Sequence, residues 1–465
     1  MIRIPLTPSP ASRRQFLKQS AAAASLLLLG RAPLRAQLET QPAPTRKVRT
    51  ALIGIGNRGW DLVRSFEDTG LIDWVAAADV DYMGEHCAQS RERLAGVPLH
   101  QDFRELLATH GDAIEAVLIA TPDFSHTPVA IACMAAGKHV FVEKPLAPTF
   151  HEIDLLMEQA RRTGVVTQMG NQGHSGANYF QFKAWSEAGI IKDVTRIDAY
   201  MNGVRRWHGW NVDGFAEDEV APPTVDWDLW HAGRPLKPYS RKLHPQEWRG
   251  WFGYGSGALG DWAAHILDTA HRFLDLGMPS RVEALRREGP SDFIFPQAST
   301  LRFSVPARGD KPACEVTWYD GVDNLPPLPA EDDPAVKRQS AGKFLYGTEV
   351  FKGGTHEAPL RIIPAARMQE LGPDLPKIPP KYSNHYANFA LACLGLEEAR
   401  SPFSVSGPLS QFLALGIIAQ QIGGRLEFDR EKRVFTNSDV ANRLLTPPPT
   451  RAGWEKYCTL QSVRS

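Results

Sequence analysis

The sequence predicts an α/β protein in which a doubly wound parallel sheet comes first and a separate sheet follows. Three observations predict it. Between residues 48 and 169, short β-rich runs alternate with helical patterns, the form that a parallel sheet with crossover helices takes in sequence. Gly54-Ile55-Gly56-Asn57-Arg58-Gly59 follows the first of those runs, where the chain must turn tightly from strand to helix. Beyond residue 170 the pattern changes to longer polar and aromatic stretches broken by Gly and Pro, which places a domain boundary near that point.

The beginning of the chain reads as an address. Residues 1–36 hold six Lys/Arg and no Asp/Glu, and Ser12-Arg13-Arg14-Gln15-Phe16-Leu17-Lys18 precedes an apolar run of ten residues, Ala21 to Gly30. A bilayer span needs about 20 residues, so this run reads as an export signal. Its paired arginines resemble the twin-arginine signal, which is read on proteins already folded. Cleavage is expected near Ala36, giving a periplasmic or otherwise exported protein, and no later stretch reads as a membrane anchor. Residues 37–47, with Pro42 and Pro44, read as an extended arm.

In the first domain, 48–170, strands are expected at Val48 to Ile55, Ile72 to Asp79, Ala116 to Ala120, His139 to Val142 and Val165 to Met169. Thr149-Phe150-His151-Glu152 has the form of a capping box, and Gly164 closes the helix it starts. In the second domain, 171–465, segments 281 to 287, 298 to 304 and 313 to 319 read as strands, and 384 to 397 and 408 to 422 as helices packed back on the body.

Composition sets the outer limits. The 465 residues are 43% hydrophobic and carry 52 basic against 52 acidic side chains, which excludes disordered, collagenous and polytopic membrane classes. Without residues 1–36 the balance is 46 to 52, and a mildly acidic body gives no footing for nucleic acid. The scattered Cys87, Cys133, Cys314, Cys393 and Cys458 contain no Cys-x-x-Cys pair, so buried free thiols are expected rather than a disulfide framework or a zinc site.

The glycines begin the chemistry. Gly54 permits the tight turn, Gly56 lets a pyrophosphate approach the backbone, and Gly59 lets helix and strand pack closely. The helix that starts at Asn57 and Arg58 then offers unpaired N–H groups to the phosphates. Asp79 ends the second strand 20 residues after Gly59, where its carboxylate would accept hydrogen bonds from an adenosine ribose. That carboxylate would repel a 2′-phosphate, so NAD is favoured over NADP, although Arg58 could soften the preference by pairing with a phosphate.

Ala120-Thr121-Pro122-Asp123-Phe124-Ser125-His126 ends one strand, and Gly137-Lys138-His139-Val140-Phe141-Val142-Glu143-Lys144-Pro145 contains the next. With the glycine turn, these segments resemble the glucose-fructose oxidoreductase, inositol dehydrogenase and MocA (Gfo/Idh/MocA) family, and Gly257-Ala258-Leu259-Gly260-Asp261-Trp262-Ala263-Ala264-His265 resembles that family's Asp-x-x-x-His segment. The resemblance implies a Rossmann domain joined to an α/β domain with an open, mostly antiparallel sheet that faces the nicotinamide or supports a homo-oligomer. It implies reversible hydride transfer at a hydroxyl-bearing carbon of a sugar or polyol. It also implies that Thr121, Pro122, His126, Glu143 and Lys144 lie along the cofactor.

The residues support this on their own terms. Lys144 ends a parallel strand, at the edge where open α/β sheets bind ligands, and its ammonium could stabilise a developing alkoxide. Asp261 and His265 are four apart and would share a helix face, the imidazole taking the hydroxyl proton and the carboxylate orienting it. On spacing alone the pair reads first as a helix cap and a core histidine; Lys144 and the resemblance turn the reading to catalysis. A metal bound by Asp261, His265 and Asp268 has only spacing behind it, so no metal is expected. Asn171, Gln172 and His174 follow the last strand and are expected to line the cleft. Trp207, His208, Trp210, Trp227, Trp230, Trp248 and Trp251 could offer flat surfaces to a pyranose, with one or two in contact.

Export has a mechanistic consequence. Outside the cytoplasm there is little free NAD to exchange with, so a tightly bound cofactor would have to be regenerated in place. Three functions follow: an exported NAD-dependent oxidoreductase acting on a sugar, glycoside or polyol, a redox-neutral glycosidase or lyase working through a keto sugar, or a dinucleotide-dependent sugar sensor.

Overall fold

The computed structural model describes residues 44–203, 209–210, 212–215, 219–332 and 338–462. The expected signal at 1–36, the arm as far as residue 43, Trp207 and His208 lie outside the described residues.

Six parallel strands form the first sheet: β1 (Val48–Ile53), β2 (Ile72–Ala78), β3 (Leu99–His100), β4 (Ala116–Ile119), β5 (His139–Val142) and β6 (Thr167–Met169), in the order β3-β2-β1-β4-β5-β6. Their side chains divide by alternation. Ala51, Ile53, Val117, Ile119, Val140 and Val142 join one apolar cluster, while Leu52, Ala116, Leu118 and Phe141 join the other. Helices on both faces make this necessary, which is why the strands read as continuous apolar runs. Strand order reverses between β1 and β4, so the loops after them diverge and leave a crevice at the carboxyl edge. β3, unexpected from sequence, is a two-residue edge strand too short to show alternation.

Helices α1 (Asn57–Glu67), α2 (His126–Ala135) and α3 (Phe150–Thr163) follow β1, β4 and β5. α3 starts and stops where expected, with Gly164 left-handed at φ 67°. The capping box itself does not form. The Thr149 hydroxyl donates to Glu152 Oε2 at 2.7 Å, and that carboxylate is taken by the buried Arg234 guanidinium at 2.8 and 2.9 Å. A charged guanidinium is a stronger partner for a carboxylate than a backbone amide.

The second sheet has nine strands in the order β13-β12-β11-β7-β10-β9-β8-β14-β15. They are β7 (Arg196–Met201), β8 (Arg281–Glu288), β9 (Ala298–Val305), β10 (Cys314–Asp320), β11 (Ala341–Tyr346), β12 (Val350–Gly353), β13 (Leu360–Ile363), β14 (Gly424–Asp429) and β15 (Val434–Phe435). Every adjacent pair is antiparallel except β7 with β10. The three expected strands are β8, β9 and β10. β11 escapes sequence reading because it buries a charge, Lys343, in line with Ala341 and Leu345, where alternation calls for an apolar side chain.

Helix α4 (Phe403–Ile422) runs through the core. Its 20 residues and mean hydropathy of 1.2 meet the length and composition of a membrane span, which corrects the expectation that no later stretch does so; most of it is buried inside the body as a core helix. It starts at Phe403 rather than 408 and carries Pro408 within it. Gly407 marks a close approach to α3, because a Cβ there would lie 2.3 Å from Met157 Sδ. All five cysteines are free thiols.

Candidate active site

The glycine turn lies at the crevice between β1 and β4. Gly54 is left-handed at φ 89°, and a Cβ on it would stand 2.6 Å from the Ala120 carbonyl carbon. A Cβ on Gly59 would stand 2.2 Å from the Gly54 oxygen, so α1 can lie against the turn only without one. No side chain caps α1, which leaves its first N–H groups available to an anion. Asp79 braces the turn, accepting from the Ile55 N–H through Oδ2 and from the Asp81 N–H through Oδ1, both at 2.9 Å. It also lines the crevice with Gly54, Gly56, Asn57, Arg58, Thr121 and Pro122.

The second half of the chain supplies the opposite wall. The Asp226 N–H donates to the Val80 carbonyl at 2.9 Å, and the Gln101 amide donates to the Thr224 carbonyl at 3.2 Å. His244 Nε2 meets Asp81 Oδ2 at 2.8 Å, and the Asn57 amide donates to Gln246 at 3.2 Å. Trp230, Pro245, Trp248, Arg249 and the distant Trp454 thereby face the glycine turn. The crevice fits a dinucleotide: it has an uncapped helix N-terminus, a carboxylate at the end of β2, and a buried Thr121 hydroxyl with no hydrogen-bond partner among the described residues.

Beyond Thr121 the crevice opens into a second cavity, which Arg58, Ala120, Thr121, Trp248 and Arg249 share with it. Lys144, Asp261 and His265 meet there. The Lys144 ammonium donates to the Asp261 carbonyl at 2.9 Å and to the same residue's carboxylate. Asp261 lies in a π-helical turn, Leu259–Ala263, that runs into the helical residues Ala264–Ile266. Such turns widen the spacing between successive side chains and are frequent at functional sites. The carboxylate therefore holds Lys144, and its charge also acts on His265. The imidazole of His265 is buried, its Nδ1 has no hydrogen-bond partner among the described residues, and burial, then Lys144 and His356, hold its pKa well below the ordinary histidine range.

Arg58 bridges the two spaces. Its guanidinium pairs with Glu143 at 2.7 Å and reaches the Tyr386 hydroxyl at 3.4 Å. Burial alone would lower its pKa, but Glu143 and Tyr386 outweigh burial and raise it. His126 sits with its ring nitrogens 3.0 Å from the Thr121 and Pro145 carbonyls, which locks the loops after β4 and β5 together. Asp123 accepts from the Ser256 hydroxyl at 2.8 Å in the same cavity, and burial raises its pKa.

Of the three residues after β6, Gln172 lines the cavity, with its amide 3.1 Å from the Tyr386 hydroxyl. Asn171 and His174 do not, which corrects their expected place. Asn171 accepts from the Ser401 hydroxyl at 2.7 Å, and His174 lies buried between Asp268 at 3.4 Å and Arg272 at 2.9 Å. Residues 172–175 form a 3-10 turn, in which side chains three apart eclipse, so 171 and 174 turn into the body together. Among the tryptophans, Trp248 and Trp262 line the cavity. Trp227 stacks on Trp230 at 4.3 Å, and Trp251 is fully buried.

Sequence reasoning missed His356. It lies between β12 and β13, and its ring lies against that of His265, tilted by 35° with centroids 4.2 Å apart. The preceding Gly353-Gly354 signals only a turn.

Residues 48–171 match the model of the GFO_IDH_MocA oxidoreductase family, NAD-binding Rossmann fold, and residues 193–290 match its C-terminal alpha/beta domain. The chain is 33% identical over 245 residues to an alpha-N-acetylgalactosaminidase of Shewanella oneidensis, a match covering 48% of this chain and 51% of that protein. It is 31% identical over 165 residues to inositol 2-dehydrogenase 1 of Saccharopolyspora erythraea, covering 35% of this chain and 48% of that one. The matched regions thus span about half the length of these curated relatives. Among solved structures, the WlbA dehydrogenase of Bordetella pertussis in complex with NADH and UDP-GlcNAcA superposes with a TM-score of 0.56 at 16% identity, covering 83% of this chain and 99% of that one. Levoglucosan dehydrogenase in complex with NADH gives 0.52 at 18% identity, covering 81% and 97%. At those identities the shared property is the fold.

Proposed function

Because this chain belongs to the Gfo/Idh/MocA oxidoreductase family, with an NAD-binding Rossmann fold, we propose that it catalyses reversible hydride transfer at a hydroxyl-bearing carbon of a sugar, glycoside or polyol. The observation that carries the reading is the convergence of Lys144, Asp261 and His265 on a cavity continuous with the glycine-turn crevice. NAD, when bound, supplies the hydride acceptor. Gly54, Gly56, Gly59 and the start of α1 would hold its pyrophosphate, and Asp79 its adenosine ribose. Lys144, fixed by Asp261, donates to the substrate hydroxyl oxygen and stabilises the negative charge that grows there. His265, neutral because it is buried, takes the hydroxyl proton.

The wall formed by residues 224–251 supports a cofactor retained between turnovers, and the twin-arginine segment supports export with that cofactor aboard. A redox-neutral glycosidase is the second reading. His356 favours it, as does the relative named for N-acetylgalactosamine release. Purified protein mixed with sugars, polyols and nitrophenyl glycosides tests both. Reduced nicotinamide accumulating without nitrophenol supports the oxidoreductase, nitrophenol without net reduction supports the glycosidase, and neither product contradicts both.

A further inference from the structure

Lys343 is a fully buried lysine on β11, and the hydride reading gives it no part. Its side chain leaves the strand on the same face as Ala341 and Leu345, into the body. Its ammonium has two hydrogen-bond partners among the described residues, the backbone carbonyls of Ile266 and Gly354, each at 2.7 Å. Burial pushes its pKa down to about 8, against the pull of Asp268. Burying an ammonium on carbonyls opposes folding, and a methionine would fill the same space without that penalty. What the ammonium adds is a single point that joins two separate pieces of backbone.

Those two pieces carry side chains of the reacting cavity. Ile266 follows His265 directly and ends the helical residues Ala264–Ile266, which lie between the π-helical turn and a new helix that begins at Asp268. So short a helical run does not hold its own direction and depends on the contacts around it. Gly354 opens the loop from β12 to β13 that carries His356. It is left-handed at φ 72°, and a Cβ on it would stand 2.6 Å from Lys343 Nζ, so the loop is shaped to admit the ammonium. On either side of His356 the loop is pinned again: the Thr355 hydroxyl donates to the Ala341 carbonyl at 2.9 Å, and the Asn178 N–H donates to the Glu357 carbonyl at 3.2 Å. Lys343 thus ties a loop that is fixed to a helical run that is not.

We infer that Lys343 is a positioning residue for the hydride reaction: by holding the Ile266 and Gly354 carbonyls together, its ammonium sets the direction in which the His265 imidazole meets the substrate hydroxyl. The inference rests on the hydride reading and adds to it a residue that lines neither the crevice nor the cavity. A displacement of about 1 Å at the reacting groups, caused by a residue away from the chemistry, is enough to slow a reaction about 100-fold.

The test mixes protein shown by native mass spectrometry to carry NAD with a sugar, glycoside or polyol that wild-type protein oxidises, and follows nicotinamide reduction within the first turnover. Lys343→Met, which keeps the volume and removes the donors, should slow that reduction about 100-fold. Its amplitude, which counts the molecules able to react, and its bound NAD should stay at wild-type levels, and KM should move by less than about threefold. A merely structural lysine would show the reverse, a smaller amplitude at the wild-type rate, and that result overturns the inference. Lys343→Gln keeps an N–H donor one bond short of the ammonium and should recover part of the loss, to about tenfold below wild type. Hydrogen–deuterium exchange without substrate gives a readout apart from activity: peptides covering 264–273 and 353–360 should exchange faster in both variants, and those covering the glycine turn should not change. Wild-type exchange in both peptides overturns the inference. If Lys343→Met does not fold, Lys343→Gln decides: a slower rate at full amplitude sustains the inference, and an unchanged rate overturns it. A wild-type rate in Lys343→Met strikes this inference alone. Wild-type protein that forms no reduced nicotinamide with any compound strikes the hydride reading, and this inference with it.

Discussion

The two ends of the cleft are built by opposite means. The glycine turn is six consecutive residues, and what matters there is the absence of side chains: Gly54 and Gly59 each stand where a Cβ would come within 2.6 Å of backbone. The reacting end is made of side chains brought from Arg58, Glu143, Lys144, Gln172, Asp261, His265 and His356, more than a hundred positions apart at the extremes. Substitution at the first end should therefore disturb cofactor retention and stability together, whereas substitution at the second should remove chemistry and leave both intact.

The largest effect should come from Lys144→Met. Turnover should fall about a thousandfold, in the range of a lost charge-stabilising donor, while melting temperature and bound NAD stay at wild-type levels; cofactor lost along with activity would mean that the two ends are not separable. Gly59→Ala should do the reverse. Its Cβ meets the Gly54 carbonyl at 2.2 Å, with no flexible side chain to yield, so purified protein should retain less NAD and melt several degrees lower. Unchanged retention would show that the turn relaxes without cost.

Asp79→Asn should shift the NAD to NADP affinity ratio by about tenfold toward NADP, the scale of one removed charge repulsion. Asparagine keeps an acceptor for the Ile55 N–H and gives up the one for the Asp81 N–H, so melting temperature measured alongside separates a weakened turn from lost discrimination. An unchanged ratio in a binding titration would show that Asp79 only braces the turn.

The smallest effect is on pH. His265 is held well below the ordinary histidine pKa, so its base form persists below pH 6.5 and the acid limb of kcat/KM should lie under that value, while NAD retention stays flat. A limb at or above 6.5 would mean that another group takes the proton. The same sign governs stability. Burial lowers His271 to about 4 and His385 to about 3, so their contribution is complete above 6.5, the unfolded-chain value, and is lost as pH falls toward 4. Melting temperature should decline across that window and be level above it.

The glycine end was legible in sequence because its constraints are local: a turn, a helix start and an acid at a fixed distance. Lys144 was legible for the same reason, as a residue two positions beyond the end of β5. Asp261 and His265 came through resemblance, and the ion pair of Asp261 with Lys144 did not, because four-residue spacing cannot say that the carboxylate meets an ammonium from the other half of the chain. Asn171 and His174 were misplaced because a position after a strand end does not fix direction; the 3-10 turn does. His356 left no signal, since the hairpin that carries it reaches the cavity only through the pairing of β11 with β12 and β12 with β13.

Whether hydride chemistry resides in the Lys144, Asp261 and His265 constellation beside a retained dinucleotide is decided by one rapid-mixing measurement. Wild-type and Lys144→Met proteins, each shown by native mass spectrometry to carry bound NAD, are mixed with the glycoside and polyol panel, and reduced-nicotinamide absorbance is followed within the first turnover. Absorbance should rise in the wild type and be suppressed by about three orders of magnitude in the variant. Equal rises in the two proteins, or no rise in wild-type protein with any compound, would contradict it.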